Sequence, residues 1–204
     1  NWSHEMDEKT YHNKNLREEL IKKGLKLYNE VGYEGFSLRK VASLCGVSHN
    51  APYRHFKDKE ELIKAMLQIA LVDFQKILTS AIEEYKNNPK EQIRHIGINY
   101  ICFFVENTEY LNLFFHSEVK GSIYIKDKKI NYDEAYLFEI IMKCFQEYYD
   151  SIGKDLDHII VVEYWSLIHG VTTFIVNKKI IFQENYRTYV EQIVDNQIKK
   201  LPQK

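Results

Sequence analysis

Residues 36–62, FSLRKVASLCGVSHNAPYRHFKDKEEL, constrain this chain more than any other stretch. Ser37 is a good helix N-cap, and Leu38, Val41, Ala42 and Cys45 follow at helical spacing on one apolar face. Gly46 stands where a helix needs a left-handed C-cap. Ala42 lies four residues before it, a small residue where a second helix can cross. Ser48 restarts the chain as a second N-cap, and its short helix should run through Tyr53 and Arg54 to about Phe56. Pro52 has no N–H, so it must lie in or near that helix's first turn. Asp58 with Glu61 forms a capping-box pattern opening a third helix.

A helix-corner-helix of this kind places its second helix in the DNA major groove, where side chains near the N-terminus meet base edges. His49 and Asn50 are the polar residues of that first turn. Asn pairs bidentately with adenine, and His donates to or accepts from a base edge. Tyr53, Arg54 and Lys59 read as phosphate contacts, Lys59 at a helix start that itself favours an anion. Ser37, Arg39, Ser48, Ala51 and His55 complete the candidate DNA-binding set. Ala42, Gly46 and Phe56 are packing residues under any function, and Tyr53 also fits as a half-buried core aromatic.

The run 46–62, GVSHNAPYRHFKDKEEL, resembles the signature of the TetR/AcrR family of transcriptional regulators. That motif reads Gly-Val-Ser, a short recognition helix, then aromatic-x-x-Phe-x-x-Lys-x-x-Leu. The chain matches it at Gly46, Val47, Ser48, Tyr53, Phe56, Lys59 and Leu62, and departs at Pro52, where Leu, Ile or Val is commoner. The resemblance implies a three-helix DNA-binding head, a larger helical effector-binding and dimerisation domain, and repression relieved by a small molecule. The stretch Trp165–Gly170, WSLIHG, resembles a Trp-x-x-x-His-Gly motif of one C-terminal domain type in the same family.

The rest of the chain reads as all-α. Of 204 residues, 45 % are hydrophobic and only three are proline, a folded, helix-prone composition. Net charge is −1, which excludes a general nucleic-acid glue. The charge is uneven, however. Residues 6–60 carry eleven Lys or Arg against eight Asp or Glu, and residues 61–204 carry seventeen against twenty. Residues 1–5 precede Met6 and are left out of the fold argument as an added leader. A first helix is expected over 15–31, stopped by Gly32, with Phe36 plugging the head's core. A long helix from Asp58 should reach about Tyr85, a rod of about 40 Å. Further helices are expected over 90–107, just after Thr108, and over 132–152, 157–177 and 185–201, with a loop at 121–131. The count is about nine helices. The expected domains are 10–57, the helix-turn-helix head, and 58–204, the helical effector and dimerisation domain.

The helix at 157–177 is apolar nearly all round, but Glu163, Ser166, His169, Lys178 and Lys179 argue against a membrane span. Two-sided burial then points to a homodimer through the last two helices. Such a dimer would set two recognition helices about 34–36 Å apart on a palindromic operator of double-stranded DNA. Tyr100, Phe104, Phe114, Phe115, Tyr136, Trp165 and His169 are candidates to line an apolar pocket for a small lipophilic effector. The competing reading makes them core, with Trp165 and His169 locking a helix pair. The eight histidines show no HxxxH or HExxH spacing, and no catalytic constellation or phosphate loop is present. No metal, no cofactor and no enzymatic activity are therefore expected. Cys45, Cys102 and Cys144 have no CxxC spacing and read as buried thiols of a reducing cytoplasm. The alternative function is a co-activator or DNA-organising protein on the same fold, without a small-molecule effector.

Overall fold

The structure, a computed structural model, describes the backbone of residues 2–116, 123–126, 129–132 and 136–203. Side chains are described from residue 15 onward, without those at 115, 116, 123, 124, 126, 130–132, 136 and 137. The fold is helical. Among the described residues it holds α1 (Trp2–Gly35), α2 (Leu38–Leu44), a 3-10 turn (Pro52–Arg54), α3 (Lys59–Glu84), α4 (Pro89–Glu106) and α5 (Thr108–His116). A hairpin of β1 (Ile123–Lys126) and β2 (Lys129–Tyr132) comes next, then α6 (Tyr136–Ser151), α7 (His158–Val176) and α8 (Tyr186–Ile198). The chain divides into two compact units, 1–72 with 109–118, and 73–108 with 119–204.

In the first unit, α1 begins far ahead of the expected start at Asn15, and its register breaks at Gly32, whose φ is 66°. Only a residue without Cβ turns there at little cost. Phe36 then enters the core at 2 % exposure, edge-on to Tyr28 with ring centroids 5.6 Å apart. Ser37 caps α2 by accepting from the Lys40 N–H at 3.3 Å. The α2 C-terminus is a Schellman motif: Val47 N–H reaches Ala42 O (3.1 Å), Gly46 N–H reaches Ser43 O (3.2 Å), and Gly46 sits at φ 69°. The core gathers Leu20, Tyr28, Phe36, Val41, Phe56, Leu62 and Met66, with Leu113 of α5 joining it and Phe114 packed against it.

The second helix of the corner departs from expectation. Residues 48–56 form a turn and a single 3-10 turn, not a short α-helix. Pro52 supplies the reason. A helix from Ser48 would need the residue-52 N–H to close on the Ser48 carbonyl, and proline has none. That carbonyl accepts from Ala51 N–H instead, at 2.9 Å. The chain regains the helix at Asp58, whose Oδ1 accepts from Glu61 N–H at 2.9 Å while Glu61 Oε2 accepts from Lys57 N–H at 2.5 Å. The capping box is thus closed on the residue before the cap.

In the second unit, α4 packs against α6, α7 and α8. Its buried Ile93, Ile96, Tyr100, Ile101 and Phe104 face Phe145, Val161, Tyr164, Ile168, Val190 and Val194 of those helices as one apolar interior. Phe74 of α3 belongs to this unit and sets its ring 4.9 to 5.5 Å from those of Phe103, Phe104 and Tyr100. Arg94 on α4 pairs with Asp195 on α8 at 2.5 Å. Asp157 and Asn185, the expected starts of these two helices, cap α7 and α8 by accepting from Ile159 and Arg187 N–H. The loop expected at 121–131 contains the antiparallel hairpin, which ends at Tyr132, and α6 starts at Tyr136 rather than near 132. The β-branched Ile residues at 123, 125 and 130 suit a strand, and so short a run carries little periodicity.

Two helices, Lys59–Glu84 and His158–Val176, are long and apolar enough to cross a membrane by length and composition. Both carry packed faces here. On α3 these are Leu62, Met66 and Ala70 in the first unit, and on α7 they are Val161, Tyr164, Ile168 and Thr172 in the second. The α4–α7 contact depends on one glycine. Tyr164 is buried and donates its hydroxyl to Ile93 O at 2.6 Å, lying over Gly97. A Cβ at Gly97 would overlap that hydroxyl and stand 3.2 Å from Ile168 Cδ1. Gly97→Ala should therefore cost about 1–3 kcal/mol through overpacking. A several-degree fall in melting temperature checks this, and an unchanged melting temperature would contradict it.

Candidate nucleic-acid interface

The corner between α2 and α3 holds its backbone through Gly46 and Pro52, and so presents one short polar segment outward. Ser48, His49 and Asn50 are all exposed, and Ala51 is half-buried. Tyr53 is 51 % exposed and Arg54 is exposed beside it, so Tyr53 is not a core aromatic. Arg39 is exposed on α2. The structure therefore brings most of the expected DNA-binding residues to one outward segment.

Three of the expected residues carry other engagements. Ser37 spends its hydroxyl oxygen on the α2 cap. Lys59 donates to Tyr33 O at 3.3 Å, with its ammonium 3.8 Å from the Tyr33 ring centroid. Its charge is held on the last turn of α1, just past the break at Gly32. His55 is half-buried, and burial, with Arg17 and Arg54 nearby, lowers its basicity below the ordinary histidine value. His55 Nε2 is buried without a hydrogen-bond partner among the described residues. Arg17 of α1 lies over the Phe56 ring, 5.3 Å from its centroid.

The sequence reading missed Ser43. Its hydroxyl lies 3.1 Å from Arg39 O and 3.3 Å from His49 Nε2, joining α2 to the polar segment. The signal was available only in part: a serine back-bonding to the carbonyl four residues earlier is a helix habit, but its reach to His49 depends on the corner's geometry.

Of the candidate pocket residues, Tyr100, Phe104, Trp165 and His169 are together in the second unit. Tyr100 stacks edge-on to Trp165 at 5.1 Å, and its hydroxyl lies 3.1 Å from His169 Nδ1. Thr173 Oγ1 is 3.5 Å from His169 Nε2. Phe138 adds a ring 6.4 Å from Trp165. Phe114 belongs to the first unit instead, because α5 turns that ring onto the head's core. The side chains of Phe115 and Tyr136 lie outside the described residues.

Burial raises the Tyr100 hydroxyl well above the ordinary tyrosine value and lowers His169, so His169 is neutral in the folded chain near neutral pH. A histidine whose folded basicity is depressed binds its proton more readily in the unfolded chain. Its contribution to stability is therefore present above the unfolded value of about 6.5 and shrinks as pH falls below it. The melting temperature should drop between pH 7 and pH 5, and His169→Gln should flatten that drop. A drop unchanged by the substitution would assign it elsewhere.

Among the described residues no group of His, Cys, Asp and Glu is placed to hold a metal ion. Burial pushes the Cys144 thiol up to about 12 and raises Cys45 and Cys102 as well, so none is an activated nucleophile.

Residues 20–66 match the model of the family described as "Bacterial regulatory proteins, tetR family". Over 179 residues the chain is 23 % identical to an HTH-type transcriptional regulator of Staphylococcus aureus (strain MRSA252), covering 86 % of this chain and 90 % of that protein. Its fold is similar to that of PfmR, a TetR family transcriptional regulator from Thermus thermophilus, with a TM-score of 0.61 at 17 % identity over 91 % of this chain and 96 % of that one. It is likewise similar to AibR, solved with isovaleryl coenzyme A and operator DNA, with a TM-score of 0.65 at 16 % identity over 91 % and 97 % of the two chains. The matched region spans α1 from Leu20, the corner and the start of α3, the same residues that build the exposed polar segment. Residues 20–66 thus form a head of the tetR-family type, and over most of its length the chain is similar to HTH-type transcriptional regulators and shares the helical fold of TetR family structures.

Proposed function

We propose that the protein is a ligand-responsive repressor that binds a palindromic operator as a homodimer in the cytoplasm. Residues 10–57 serve as the DNA-binding head and residues 58–204 as the effector and dimerisation domain. The observation that carries this reading is the outward polar segment Ser48–Asn50 with Tyr53 and Arg54, held on a corner stiffened by a Schellman glycine and a proline. Base edges are read by Ser48, His49, Asn50 and Ala51, and phosphates by Tyr53, Arg54 and the residues flanking them, Ser37, Arg39, His55 and Lys59. The last two helices supply the dimer contact. Phe174 of α7 is 54 % exposed, and Tyr189 of α8 and Ile181 between them are exposed too, apolar surface that a second copy would cover.

The effector is a small lipophilic molecule taken up among Tyr100, Phe104, Trp165 and His169 of the second unit. AibR's complex with isovaleryl coenzyme A supports an acyl thioester as the first class to try. Binding it would shift the dimer toward a state whose heads no longer match the half-site spacing. A specific observation favours the rival without an effector: Tyr100 and Phe104 are fully buried against Phe74 and Phe103, so the chain's own rings fill that interior. Titrating short- and medium-chain acyl-coenzyme A esters into the protein–operator complex separates the two. Release of DNA supports the repressor, and unchanged affinity with every ester supports the co-activator or DNA-organising reading.

A further inference from the structure

The Ser43 hydroxyl has one proton and two neighbours. It stands 3.1 Å from the Arg39 carbonyl, which can only accept, and 3.3 Å from His49 Nε2. If the proton goes to the carbonyl, the oxygen faces the ring with its lone pairs, and Nε2 must carry the hydrogen. The neutral ring then has a bare Nδ1. His49 is exposed, and Nδ1 has no hydrogen-bond partner among the described residues. Two observations favour this direction: the shorter distance goes to the carbonyl, and the bond is the four-back bond that serine makes within a helix.

We propose that Ser43 is a positioning residue that fixes His49 as the tautomer presenting Nδ1 as an acceptor, so that His49 selects an exocyclic amine in the major groove. The inference rests on the DNA-binding reading of the head. In the groove the amines are adenine N6 and cytosine N4, while guanine N7 and O6 and thymine O4 only accept. His49 thus reads the amine-bearing base of the contacted strand and meets a guanine or thymine with a repulsive lone pair. Asn50 beside it carries both a donor and an acceptor and has no such restriction.

Every base pair has one amine, so base identity alone does not name the atom read, and single-atom analogues are required. Duplexes are first selected from a random pool with the full-length protein. His49→Ala then marks the base pair whose preference it flattens. At that pair the adenine or cytosine is replaced by its counterpart lacking the exocyclic amine, or the purine by its 7-deaza form, which lacks the N7 acceptor. The wild type should lose roughly two- to twelvefold with the amine removed and nothing with N7 removed, the range of one net hydrogen bond. Ser43→Ala should erase the amine sensitivity while leaving the salt dependence unchanged. Ser43→Thr should restore it, since a helical threonine bonds back in the same way. Loss on removing N7 with tolerance of the missing amine would mean that the serine proton points to the ring, and would overturn the proposal. So would a His49→Ala protein with unchanged base preference at every position, or amine sensitivity that survives Ser43→Ala. A pool that enriches no sequence at all removes the DNA-reading premise itself, a failure distinct from these.

Discussion

Phe56→Ala should destabilise the head by about 3–5 kcal/mol, the usual cost of emptying a large buried aromatic site. Phe56 is 2 % exposed and lies in the same core as Phe36, Val41 and Leu62. It is the residue that returns the chain from the 3-10 turn to α3, its own N–H bonding to Pro52 O at 2.9 Å. The Arg17 guanidinium also loses the ring it lies over. A cavity here therefore acts on the corner that presents His49 and Asn50 and not only on bulk stability. Thermal unfolding should show a head that melts early, and DNA binding should vanish at temperatures where the wild type binds fully. A loss under about 1 kcal/mol with intact binding would mean that the corner is held by its backbone alone.

The second large effect concerns recognition. His49→Ala with Asn50→Ala should abolish sequence preference while leaving the fold unchanged, because both side chains are exposed. A mismatched base contact costs about 1–3 kcal/mol, and a symmetric dimer carries each substitution twice. Specific affinity should fall by about 2–6 kcal/mol per substituted position, toward the level of random duplex. The salt dependence should persist, since Tyr53, Arg54 and the other phosphate contacts remain. Competition between selected and scrambled duplexes measures this directly. A variant that kept its preference would move base reading elsewhere on the head.

The corner was legible in the sequence because its signals are local. Gly46 alone takes the left-handed cap at little cost, Pro52 fixes its own φ, and Ser37 and Asp58 mark helix starts by a single hydrogen bond each. The form of the recognition element was less legible. Ser48 and the following residues read as a helix, and the missing proline N–H converted it to a 3-10 turn. Placement on the tertiary level was harder still. Nothing local distinguishes Phe114, which packs with the head's core, from Phe104, which lies in the second unit. Both are aromatics at helical spacing, and only long-range packing separates them. The engagement of Lys59 by Tyr33 and the tie from Ser43 to His49 are likewise contacts between residues brought together by the corner's turn. The hairpin from Ile123 to Tyr132 is expected as a loop over 121–131, because four-residue strands carry too little alternation to outweigh a loop.

Selection of bound duplexes from a random DNA pool, at two salt concentrations and on the purified full-length protein, tests the central claim most directly. The account predicts enrichment of one palindrome whose half-sites lie about one helical turn apart, retained at the higher salt. Weak binding that disappears with salt and enriches no motif would contradict it, and would leave the exposed segment at the corner as a phosphate contact without sequence reading.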